Sequence, residues 1–257
     1  MKYIDSHAHY DDECFNEDRD ILLEELYSKG VDKIITVGCR IEQCEAAIKL
    51  SEKHSHVYAA VGIHPEDIAS APDDYLDRIK EWVKFAKVVA VGEIGLDYHY
   101  DGYDRGKQME IFEAQVRLAK ELDMPVIVHS RDATADTMEI VKKYAPLKGV
   151  MHCYSGSAET AKQVLSYGMY ISFTGVLTFK SARKSVDALA VIPMDRLLLE
   201  TDCPYMAPEP YRGQRCDSSM IVKVIDRIAE LKNITAEQVA EMTYKNTLEL
   251  FPKLAGK

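Results

Sequence analysis

A chain of 257 residues with 47% apolar and 29% charged side chains has the composition of a soluble globular protein and the length of one large α/β domain. No run approaches the length of a membrane span, and residues 1–20 are too polar for a signal peptide. The formal net charge of −10 argues against a general nucleic-acid coat, whose affinity comes from neutralising phosphates with Lys and Arg. It does not exclude an enzyme that grips one chain end through metals and a few local cations. Cys14, Cys39, Cys44, Cys153, Cys203 and Cys216 are scattered, and without an export signal they read as reduced thiols of a cytoplasmic protein.

In chain order, short β-rich runs alternate with helical ones. Strands are predicted at Tyr3–His7, Lys33–Gly38, Val57–His64, Val88–Glu93, Pro125–His129, Gly149–His152, Met169–Phe173 and Arg196–Thr201. A helix over Asp18–Lys29 is followed by Gly30, where a C-terminal glycine cap belongs. A second, Asp104–Asp123, sets Met109, Phe112, Val116 and Ala119 on one stripe. The last two, Ser218–Leu231 and Thr235–Leu250, close the outer ring. Thr235 and Gln238 form a capping box, with Ile234 and Val239 as a staple. Eight such units imply parallel strands, right-handed crossovers and a closed (β/α)₈ TIM barrel, one domain over residues 1–257.

Active sites of such barrels form at the C-terminal ends of the strands. The first strand ends in His7 and His9, the fourth in Glu93, the fifth in His129, the sixth in His152 and the eighth in Asp202. Each alone has a plain account as a histidine or carboxylate bonding a nearby loop; their coincidence at strand ends points to metal. Six ligands exceed the needs of one tetrahedral zinc with an open position, and suit two divalent cations sharing a carboxylate and a bridging water. Glu93, with two oxygens and a central strand, is the natural bridge. His7, His9 and Asp202 then hold one cation, and His129 and His152 the other. Mixed nitrogen and oxygen donors admit Zn, Mn, Fe, Ni or Mg. In this scheme a bridging hydroxide is the nucleophile and Asp202 the general base. Strand alternation places Asp5 on the face of His7, and Glu200 on that of Asp202. Either could orient a ligand histidine, the alternative being a purely structural hydrogen bond to nearby backbone. The same alternation turns the sulfurs of Cys153 and Cys203 away from the site.

Four words flank these ligands: Val91-Gly92-Glu93-Ile94-Gly95-Leu96-Asp97-Tyr98, Val128-His129-Ser130-Arg131-Asp132-Ala133, His152-Cys153-Tyr154-Ser155-Gly156-Ser157 and Leu199-Glu200-Thr201-Asp202-Cys203-Pro204-Tyr205. Together they resemble the TatD-type deoxyribonuclease family of amidohydrolase-like barrels, from Ile4 to about Asn246. The resemblance implies a (β/α)₈ fold, two divalent cations on the six residues named, and hydrolysis of phosphodiester bonds. One loop departs from the family pattern. After Pro208-Glu209-Pro210-Tyr211-Arg212-Gly213 the family continues toward an Asn and then a Pro, whereas this chain reads Gln214-Arg215-Cys216-Asp217-Ser218-Ser219.

The substrate expected from this reading is DNA, taken at single-stranded ends and trimmed in the 3′–5′ manner, with no membrane and no obligate protein partner. His64 and the loop cations Arg131, Lys180, Arg212 and Arg215 are the candidate substrate contacts, the alternatives being a loop-orienting role for His64 and plain solvated charges for the cations. Asp97 either positions loop groups or caps the turn before His99. The main alternative keeps barrel and metals but hydrolyses a small amide, lactone or phosphoester, since one scaffold hosts many chemistries. A third, a non-catalytic binding protein on a retired barrel, sits badly with a complete ligand set.

Overall fold

Eight parallel strands pair strictly in sequence order, β1 through β8. The computed structural model describes residues 1–256. The strands are β1 Tyr3–Ala8, β2 Val31–Gly38, β3 Val57–Val61, β4 Val88–Asp97, β5 Val126–Arg131, β6 Gly149–Met151, β7 Tyr170–Phe173 and β8 Leu197–Leu199. The helices are α1 Arg19–Ser28, α2 Ile41–Lys53, α3 Tyr75–Trp82, α4 Arg105–Glu121, α5 Thr134–Lys143, α6 Ala158–Ser166, α7 Arg183–Val191, α8 Ile221–Lys232 and α9 Ala236–Leu250. This is the predicted (β/α)₈ TIM barrel in a single domain. No described helix is long and apolar enough to cross a membrane.

Two cores hold it together. Inward side chains of the strands, among them Ile4, Ile35, Ala60, Ile127, Val150 and Leu198, fill the barrel, and Phe251 and Leu254 plug its lower end. Lys253 fastens that plug by donating to the carbonyls of Val83 and Val88, at the start of β4. The larger core lies between strands and helices and takes the opposite strand faces, such as Val31, Ile34, Val88 and Val126. The helix ends follow local chemistry: Asp104 accepts from Lys107 N at the head of α4, and Thr235 and Gln238 form the full capping box of α9. Met109 is only half-buried; the buried stripe of α4 also takes in Gln108 and Gln115.

Several strand limits differ from expectation because side chains take over backbone hydrogen bonds. β3 stops at Val61 rather than His64: the Gln115 amide accepts from Ile63 N and donates to Ile63 O, so that peptide leaves the ladder. β8 is short because Thr201 N donates to Asp5 Oδ1 rather than to a strand carbonyl. Conversely, β4 runs past Glu93 to Asp97, paired through Asp97 with Arg131 of β5.

Strands β1 and β4, which carry predicted metal ligands, are both bulged at those residues. Between Asp5 and Ala8, β1 spends three residues where β2 spends two, and β4 does the same against β5 between Val91 and Ile94. A bulge re-aims side chains. It brings Glu93 into the mouth, and it breaks the alternation that would have put Asp5 beside His7. The close packing of β4 on β5 needs glycine: a Cβ on Gly92 would stand 2.6 Å from Ile127 Cβ, and one on Gly95 2.0 Å from His129 O.

Candidate metal centre

Glu93 is buried at the centre of the mouth, and its two oxygens face different partners. Oε2 lies 3.3 Å from His7 Nε2 and 3.7 Å from His9 Nε2. Asp202 Oδ1 lies 3.6 and 3.4 Å from the same two nitrogens, which are themselves 3.1 Å apart. Oε1 lies 2.9 Å from His129 Nδ1 and 2.8 Å from His152 Nε2, and these nitrogens are 3.4 Å apart. Four donors around an ion at about 2.1 Å stand about 3.4 Å from each other. In the first cluster the nitrogens stand 3.1 Å from each other and 3.3–3.7 Å from the Glu93 and Asp202 oxygens, which brackets that spacing, and imidazole nitrogens facing one another at such range are a donor set suited to a cation. The six predicted ligands therefore converge: His7 and His9 face Oε2 of Glu93 with Asp202 beside them, and His129 and His152 face Oε1.

Charge in this pocket is mutually dependent. Burial alone would push the Glu93 carboxyl up, but His152, His64 and His7 around it hold it well below the usual carboxylate range. Burial likewise opposes the charge of Asp202, and His9 followed by His7 overcomes it, so Asp202 stays ionised. Desolvation disfavours a protonated His9, yet Asp202 and then Glu93 raise it to about 9. Asp202 has a left-handed backbone at φ 60°, which aspartate tolerates and which turns its carboxylate inward.

Behind the ligands lies a layer that fixes ring orientation. His129 Nε2 lies 3.0 Å from Asp97 Oδ2, so His129 presents Nδ1 to the site. Asp97 Oδ1 also accepts from His99 N, so positioning and turn capping are both its work. Glu200 Oε1 lies 3.5 Å from His152 Nδ1, and the carboxylate is held by Cys153 N and Ser172 Oγ. His9 Nδ1 rests on the Val37 carbonyl at 3.0 Å. Of the two carboxylates suspected of orienting a ligand imidazole, Glu200 stands behind His152, 3.5 Å from an Nδ1 that makes no hydrogen bond, and Asp5 faces no ring. Asp5 turns from the barrel axis and accepts from Thr201 N, Thr201 Oγ1, Ser218 Oγ and His7 N. Burial raises its carboxyl to about 7 against the pull of these donors. It stitches β1 to the end of β8, where the barrel has only a bridge between Ala8 and Cys203.

The remaining candidates separate. His64 Nε2 is 3.6 Å from Glu93 Oε1, while its Nδ1 accepts from Glu66 N. Burial drives its pKa down to about 3, and with Nδ1 accepting from Glu66 N the neutral ring carries its proton on Nε2, facing the site within a donor group it forms with Glu93 and His129. The Arg131 guanidinium lies over the Tyr100 ring at the rim, and that of Arg212 lies over Phe179. Lys180 is exposed and forms no ion pair among the described residues. Arg215 is not a free phosphate grip. It makes a bidentate pair with Asp18, donates to Cys14 O and lies over Phe15, binding the atypical loop to the start of α1. Cys203 packs in the outer core, and Cys153 approaches Thr174 Oγ1; burial keeps both thiols protonated.

Two contributors had not been singled out. Cys39 directs its thiol to Glu93 Oε2 at 3.8 Å, and burial holds it protonated. It follows the last residue of β2, so the strand-end rule that found the histidines would have found it. Lys184, in the first turn of α7, lines a cavity of about 300 Å³ beside His152 together with Ser130, Ser155, Ser157 and Thr160. No sequence signal joins α7 to β6.

A (β/α)₈ barrel with imidazoles and carboxylates gathered around one glutamate at its C-terminal mouth defines a metal-dependent hydrolase. The family described as TatD related DNase matches residues 4–252, and this chain belongs to it. It is 41% identical to the uncharacterized metal-dependent hydrolase YabD of Bacillus subtilis, over 96% of this chain and 98% of that protein. It is 36% identical to the uncharacterized metal-dependent hydrolase YcfH of Escherichia coli, over 98% and 96%. The crystal structure of the TatD homologue YjjV from Escherichia coli superposes with a TM-score of 0.92 at 33% identity, covering 97% of this chain and 98% of that one.

Proposed function

We propose that this chain is a cytoplasmic deoxyribonuclease that uses two divalent cations to trim single-stranded DNA ends. The observation that carries the reading is the division of Glu93, with Oε2 serving His7 and His9 and Oε1 serving His129 and His152. Cations held there would supply water acidic enough to ionise at neutral pH, and positive charge for the phosphate oxygens. Asp202, ionised and directed at the first cluster, accepts the proton of the attacking water. His64 donates from Nε2 to a non-bridging phosphate oxygen. Arg131, Lys184, Lys180 and Arg212 meet flanking phosphates. The cavity beside His152, lined with hydroxyls and a lysine, suits a sugar-phosphate better than an apolar ester or lactone.

Purified protein loaded with Zn, Mn or Mg and supplied with end-labelled single strands should shorten them progressively from the 3′ end, leaving closed circular DNA largely intact. Rapid cutting of circles would refute end preference. Turnover of small carboxylic esters or lactones without any turnover of DNA would refute the nuclease reading.

A further inference from the structure

Half of the exposed large apolar side chains among the described residues sit on two loops at the mouth. Tyr100 and Tyr103, 55% and 44% exposed, follow β4, and Tyr205, Met206 and Tyr211, 53%, 41% and 37% exposed, follow β8. In a ring of eight strands β4 and β8 stand opposite each other, so these loops face one another across the metal ligands. Exposed aromatics cost solvation and invite aggregation unless they meet a partner.

Two of these rings are held in place. The Tyr205 hydroxyl donates to Asp12 Oδ2 at 3.0 Å, and Asp12 is itself fixed by accepting from Cys14 N. The Tyr205 ring meets the ligand His9 edge to face, with centroids 6.4 Å apart. Across the mouth, the Arg131 guanidinium lies 5.2 Å from the Tyr100 ring and donates to its hydroxyl, while His99 meets the ring edge at 5.0 Å. A tyrosine already anchored gives up little entropy when a flat partner settles on it.

We propose that Tyr205 and Tyr100 are stacking platforms for the bases of a single strand, with Tyr205 holding the base next to the phosphate under attack. The proposal rests on the nuclease reading and gives its means of affinity. A chain of net charge −10 cannot draw in nucleic acid by its overall field, and Arg215 is spent on Asp18. Stacking needs no net charge, tolerates any base, and is denied to a duplex whose bases already stack. An arginine beside the ring adds a cation–π contact and one phosphate contact. Binding should therefore be sequence-tolerant and only weakly salt-dependent, with a slope of about −0.7 for each phosphate met.

The test uses metal-loaded Asp202→Asn protein, so that the strand survives, titrated with labelled oligothymidylate and with an abasic strand of equal length. The base-bearing strand should bind about tenfold tighter or more. Adding Tyr205→Ala should remove most of that margin without altering metal content or salt slope, and Tyr100→Ala should remove a further part. Tyr205→Trp should keep the margin, and its emission, set against the single native Trp82, should be quenched on binding. Equal affinity for the two strands, or a Tyr205→Ala protein that still prefers bases, overturns the platforms. If the native enzyme then degrades both strands alike, the nuclease reading stands alone. If it binds and degrades neither, both fall.

Discussion

The two halves of the candidate metal centre use carboxylates in opposite ways. On the β1–β8 side, Asp5 holds backbone: its acceptors take up Thr201 N and His7 N, which fixes the peptides carrying the ligands and leaves the imidazoles to weaker supports. His9 leans on a carbonyl, and His7 Nδ1 is buried without a partner. On the β5–β6 side, Asp97 bonds the His129 ring directly, and Glu200 stands 3.5 Å behind His152, whose Nδ1 is likewise buried without a hydrogen bond. A carboxylate behind an imidazole makes it a stronger electron donor and fixes its tautomer. One half is thus built for position, because the barrel seam there is not a continuous ladder. The other sits on a complete ladder and is built for ligand strength.

Substitutions should expose that asymmetry. The largest effect belongs to the residue common to both halves. Glu93→Ala should abolish detectable turnover, and elemental analysis after desalting should find both cations depleted; retention of two equivalents would remove Glu93 from its bridging role. Next comes Asp5→Ala, which leaves buried donors of Thr201, Ser218 and His7 without an acceptor. Denaturant unfolding of the metal-free protein should show a loss of about 3 kcal/mol or more. Unchanged stability would mean that the seam is held elsewhere. Smallest is Arg215→Ala, which breaks an exposed pair worth about 0.2–1 kcal/mol. Its binding to single strands should match the parent, because its guanidinium faces Asp18; weakened DNA binding would restore it to the substrate path.

How far the sequence reached depends on which periodicity carried the signal. The barrel was legible because strand and helix patterns alternate eight times, and the gathering of the candidate ligands was legible because barrel chemistry collects at strand ends. Parity failed at Asp5, since a single extra residue in β1 reverses the faces and no local sequence marks a bulge of that kind. β3 was read too long because its last backbone groups are satisfied by Gln115, a residue from α4 with no neighbour in sequence. The loop that departs from the family pattern proved to be a brace. Ser218 donates to Asp5, and Asp217 caps the turn into α8 by accepting from Ser219 N. A proline at Ser218 would lack that hydroxyl. Lys184 was out of reach for the same reason as Gln115: only the closed ring brings α7 beside β6.

The claim at the centre is that two unequal cation sites share Glu93. The direct measurement is calorimetric titration of metal-free parent, Asp97→Asn and Glu200→Gln proteins with one divalent cation, Mn or Zn. The parent should bind two equivalents. Each variant should keep one at parental affinity, on the β1–β8 side, and weaken the other by about 10–100-fold. A single equivalent in the parent, or equal weakening of both sites, would contradict the account.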